Sequence, residues 1–93
     1  MWLETITVQT HHSKKGALEF IFEEMKKSAL FEHTHLNAYY HQNAVLHITV
    51  HLEHSHIDNK NGSVQAAMLT DLLSDMGSVS QKVWQPLTLS TPR

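Results

Sequence analysis

Histidine recurs through the middle of this chain in a pattern that could do chemistry. His33, His35, His41, His47 and His51, followed by Glu53, are all odd-numbered, so in extended chain they project to one side. Imidazoles with a carboxylate make a donor set that suits zinc, copper, nickel or iron. An imidazole beside a hydroxyl is equally a general base. Which chemistry applies depends on the element that carries the residues. His47 and His51 are spaced so that a helix would put both on one face. On a strand the same four residues span about 13 Å, too far for one ion.

The surrounding residues read as strands. Met1–Gln9 is rich in Thr, Ile and Val, with Glu4, Ile6 and Val8 on one face and Leu3, Thr5 and Thr7 on the other. The period then changes. From Lys14 to about Ala29, residues Leu18, Ile21, Phe22, Met25 and Ala29 recur at helical spacing, with Ser13 placed to cap. Alternation returns over His33–His41 and Val45–Glu53, separated by a polar break at Gln42-Asn43, and the two read as a hairpin. His54–Gly62 is a loop with dense turn chemistry at Asp58–Gly62. Ser63 caps a second helix, Val64 to about Met76, expected to bury Val64, Met68, Leu72 and Met76, with Gly77 as a left-handed C-cap. Val79–Leu87 is a last strand. The order is strand, helix, strand, strand, helix, strand. It predicts one α+β domain over residues 1–93, a ferredoxin-like βαββαβ fold with a four-stranded antiparallel sheet and two helices on one face.

With both helices on one side, the other face of the sheet stays open. If Leu36, Ala38 and Tyr40 share the core face with Leu46, Ile48 and Val50, the hairpin loop holds an odd number of residues. The expected register sets Tyr40 opposite Leu46, Ala38 opposite Ile48 and Leu36 opposite Val50. On the open face Tyr39 then meets His47, Asn37 meets Thr49, His35 meets His51, and His33 meets Glu53. The outer strands add Leu3, Thr5, Thr7, Lys82 and Trp84. Two such sheets packed face to face would enclose a barrel lined by histidine, tyrosine, threonine and tryptophan.

Small chains with this element order that pair open sheet faces look like the dimeric α+β barrel superfamily, which includes antibiotic-biosynthesis-monooxygenase-like proteins. The stretch His12–Met25, HSKKGALEFIFEEM, is similar to that family's loop and first helix. Where the family often has proline-glycine-cysteine before the second strand and glutamate-x-tryptophan after the third, this chain has Phe31-Glu32-His33 and Glu53-His54-Ser55. The resemblance implies a homodimer and a cofactor-independent monooxygenase or isomerase; the family also holds haem-degrading enzymes and proteins of no known activity.

Three sites follow. The barrel site takes His47 as base, Tyr39 or Asn37 to hold a substrate oxygen, and Thr5, Thr7 and Trp84 as ligand-binding walls. The metal site takes His33, His35, His51 and Glu53, because directly opposed side chains have Cβ atoms roughly 5 Å apart. His11, His12, Lys14 and Lys15 surround the start of the first helix, where backbone N–H groups attract anions. The leading expectation is a small-molecule-binding homodimer with no bound cofactor. The alternatives are a metal-binding protein holding a divalent transition metal and a non-catalytic structural dimer.

Composition narrows the classes. There is no cysteine among 93 residues, which excludes disulfides and thiolate chemistry. A net charge of −2 offers no basic stripe for nucleic acid. No apolar run approaches the roughly 18 residues that span a bilayer, and Met1–Val8 lacks the basic start and apolar stretch of a signal peptide. The expected setting is therefore the cytoplasm, away from membranes. A chain this short buries only about two thirds of its unfolded surface, so a partner subunit would help its stability. With nine histidines, net charge swings positive as pH falls through about 6.5.

Overall fold

A computed structural model describes residues 2–54 and 62–85. Four strands, β1 (Trp2–Thr10), β2 (Thr34–Gln42), β3 (Leu46–His54) and β4 (Ser78–Trp84), form one antiparallel sheet in the order β2-β3-β1-β4. Two helices, α1 (Lys15–Lys27) and α2 (Val64–Leu73), complete an α+β fold. The C-terminal part of the expected last strand, from Pro86, and residues 55–61 of the expected loop lie outside the described residues.

The alternation of β1 and β3 sorts their side chains as hydropathy demands. Ile6 and Val8 on β1 and Leu46, Ile48, Val50 and Leu52 on β3 are buried. They meet Leu18 and Phe22 of α1 and Ala66, Leu69 and Leu73 of α2 in a single core, so both helices lie on this face. Ile21 and Met25 flank it, in keeping with the helical spacing of α1.

Four expectations are corrected. The hairpin register is shifted by two residues: Leu36 opposes Leu52, Ala38 opposes Val50 and Tyr40 opposes Ile48. The ladder runs on through His41–His47 and Gln42–Leu46, leaving a three-residue connection closed by a bond from Asn43 N–H to the Val45 carbonyl. Each added rung satisfies backbone groups that a longer loop would leave to water. A two-residue shift keeps every side chain on its expected face and changes only its neighbours. Ala38 and Tyr40 do face the helices, but β2 is an edge strand and both stay exposed, with the Lys15 ammonium 4.2 Å over the Tyr40 ring.

The phase of α2 is also different. Ala66, Leu69 and Leu73 are buried, whereas Val64, Met68 and Leu72 are exposed. The helix VQAAMLTDLL is apolar nearly all round, so its sequence leaves the rotation open; the anchoring of Ser63, described below, sets it. Ser13 is not a cap. The His11 imidazole takes that role, accepting from Ser13 N–H at the head of a 3-10 turn, His12–Lys14, that leads into α1. Gly77 has no left-handed backbone; the positive φ falls on Gly62 at 89°. A Cβ on Gly77 would lie 2.1 Å from the Gln9 carbonyl oxygen, so this glycine permits the α2–β4 connection to cross against the end of β1.

Candidate functional site

The open face is a grid that the register fixes. Across the strands in the order β2, β3, β1, β4, one row is His35, Glu53, Leu3 and Trp84; the next is Asn37, His51, Thr5 and Lys82. Then come Tyr39, Thr49, Thr7 and Ser80, and last His41, His47, Gln9 and Ser78. The β3-β1-β4 side of this grid carries a depression. A cleft of about 530 Å³ lies there, lined by Leu3, Thr5, Thr7, Thr49, His51, Ser80, Lys82 and Trp84.

Three of the residues expected to bind a ligand, Thr5, Thr7 and Trp84, thus come together in one depression. The Trp84 indole N–H donates to Thr5 Oγ1 at 2.9 Å, which fixes the ring as a wall. The catalytic trio is dispersed. Tyr39 opposes Thr49 and makes an edge-to-face contact with His51 at 5.1 Å between centroids, not with His47. His47 sits a row away beside His41, their rings 6.3 Å apart, and Asn37 opposes His51. The two-residue shift of register is the cause: Thr49 takes the place opposite Tyr39 that His47 was expected to fill, and His51 reaches the Tyr39 ring from the diagonal position.

The same shift takes the metal set apart. Glu53 opposes His35, His51 opposes Asn37, and His33 lies in the turn before β2 with Nε2 3.7 Å from Glu32 Oε2. Among the described residues no three His, Asp or Glu side chains are grouped to hold a metal ion. At the start of α1, His11 is spent on the Ser13 N–H and stacks on His12 at 4.3 Å, while Lys15 is turned onto Tyr40.

A second polar cluster is buried at one end of the sheet, on the helix side. Glu4 of β1 is wholly inaccessible, and its carboxylate accepts four hydrogen bonds from the described residues. His54 Nε2 lies 2.7 Å from Oε1, the Ser63 hydroxyl donates to the same oxygen, and Ser63 N–H and Gln81 Nε2 donate to Oε2 at 3.0 and 3.1 Å. His54 Nδ1 meets the Thr34 hydroxyl at 3.1 Å, and Trp2 stacks on the imidazole at 4.3 Å. Ser63 in turn accepts from Ala66 N–H as the cap of α2. The carboxylate therefore joins β1, β3 and β4 to the first turn of α2. A buried carboxylate is tolerated only when its oxygens are so satisfied. Glu4, Thr34 and His54 share one sequence signal: each is polar yet in phase with the core residues of its strand. This cluster, with no access to the open face, acts as a clasp that positions α2.

No protein-family model matches the chain, no curated protein matches it, and no solved structure matches it. The reading of the site accordingly stands on its own residues. No helix among the described residues is long and apolar enough to cross a membrane.

Proposed function

We propose that the chain is a ferredoxin-like domain that binds a small organic molecule as a homodimer, two open sheet faces closing on each other in a dimeric α+β barrel. The observation that carries this reading is the convergence of Thr5, Thr7, His51, Lys82 and Trp84 on one concave face that neither helix covers. The strand order β2-β3-β1-β4 supports the ferredoxin-like assignment, since it sets the two β-α-β halves side by side with their first strands at the centre. A half-buried imidazole and exposed indole and phenol rings on a sheet face are costly surface for a monomer and ordinary lining for an enclosed site. The imidazole of His51 lines the cleft, with the Tyr39 ring packed edge-on against it, and provides a proton-transfer group at a bound ligand, so the reading extends to an isomerase or a cofactor-independent oxygenase whose first step is deprotonation.

The test is the mass of the full chain in solution by light scattering, with a charge placed at the centre of the face. The wild type runs at twice the chain mass, and Thr7→Arg, which puts a guanidinium in the middle of the face that the dimer buries, runs as a folded monomer. A monomeric wild type, or a dimer indifferent to Thr7→Arg, refutes the face-to-face assembly.

A further inference from the structure

The open-face cleft is unbalanced in its hydrogen-bonding character. Among the described residues Lys82 is the one lining residue with a fixed charge, and no described aspartate or glutamate lines the cleft. Thr5 Oγ1 already accepts from the Trp84 indole, which leaves its hydroxyl proton free to donate. The Lys82 ammonium is held on the indole side, 5.9 Å from the Trp84 ring centroid, beside the apolar surface of Leu3 and Trp84. Glu53 is the single carboxylate on this face among the described residues. It is exposed, stands in the row of Leu3 and Trp84 between Leu3 and His35, and does not line the cleft; Lys82 is one row and two strands away from it.

The geometry points to a ligand class: a small organic oxyanion, of which a carboxylate on a flat apolar body is the simplest case. The carboxylate meets Lys82 and the Thr5 hydroxyl, and the body lies on Leu3 and Trp84. This inference rests on the reading that the open face is the binding face of a dimer. On a wet surface one ammonium contributes little to affinity. Between two faces water is excluded, the charge-assisted bonds strengthen, and a neutral ligand of the same shape leaves Lys82 desolvated without a partner. The cleft volume of about 530 Å³ accommodates a two-ring acid.

Naphthoate and its isosteric amide, naphthamide, are the probes, with affinities measured calorimetrically on the full chain. Naphthoate binds the wild type roughly tenfold or more tightly than naphthamide, the ratio that a charge-assisted hydrogen bond gives. Lys82→Met and Lys82→Gln, each checked for folding by circular dichroism, remove that difference by weakening naphthoate and not naphthamide, and Lys82→Arg retains it. Equal wild-type affinities overturn the anion preference and leave the binding face standing. Equal loss of both probes in Lys82→Met overturns it too, since Lys82 would then be packing rather than pairing. Binding of neither probe at millimolar concentration overturns both the preference and the binding face.

Discussion

Replacing Glu4 by Ala tests whether the buried clasp governs the fold. Among the described residues the carboxylate has four donors, and they do not weigh equally. His54 Nε2 is on a side chain only 3% exposed, so without Glu4 it has no route to water. Leaving such a donor unsatisfied costs about 1–3 kcal/mol. Ser63 is half-buried and Gln81 exposed, so their groups recover part of their hydration. The cavity adds to the loss. The sum is about 3–5 kcal/mol, the range found when one partner of a buried pair is removed. A small domain has only about 5–15 kcal/mol in total. Urea unfolding followed by far-ultraviolet circular dichroism reads this as a fall of about 1–3 M in the midpoint. Glu4→Met leaves His54 stranded in the same way without opening a cavity, so it too is strongly destabilised. The double change Glu4→Met with His54→Phe removes both sides of the pair, keeps an aromatic ring under Trp2, and lies closer to wild type than Glu4→Met alone. A Glu4→Ala protein within about 1 kcal/mol of wild type would refute the reasoning, because a carboxylate so dispensable cannot be what holds α2 in place.

Other substitutions test the corrected details of the fold. Gly77→Ala drives a Cβ to 2.1 Å from the Gln9 carbonyl oxygen and lowers the melting temperature, whereas Gly16→Ala, with nothing within 4 Å of the new methyl, stabilises α1 by about 0.5–1 kcal/mol in the same assay. Leu69→Ala costs about 2–5 kcal/mol and Met68→Ala less than about 1 kcal/mol; the reverse order in urea unfolding would restore the phase that spacing alone predicts for α2.

Parity is what survives from chain to structure. Because side chains alternate with a period of two, the residues of β1 and β3 that must share a face are legible in the alternation of Leu46–Glu53 and of Leu3–Val8. The open-face positions of Thr5, Thr7, Lys82 and Trp84 follow from it directly. Which residues oppose one another does not follow, since registers two residues apart bury the same side chains. That ambiguity is why the sequence pairs His47 with Tyr39 and groups His33, His35, His51 and Glu53 as a ligand set, whereas the register separates them. Helix α1 was legible because its apolar stripe is narrow. Helix α2 was not, because Val64, Met68 and Leu72 are as apolar as Ala66, Leu69 and Leu73.

By itself, then, the order of residues determined the α+β class, the element sequence and the face on which each strand residue of the hairpin and β1 lies. Local periodicity encodes these, and periodicity acts within a few residues. The tertiary structure decided the hairpin register, the rotation of α2 and the meeting of Glu4 with His54, which are 50 residues apart along the chain. Those depend on hydrogen bonds between segments that become neighbours only when the sheet forms. The histidines are divided by that step: His51 belongs to the open cleft, His54 to the buried clasp, and His47 to neither.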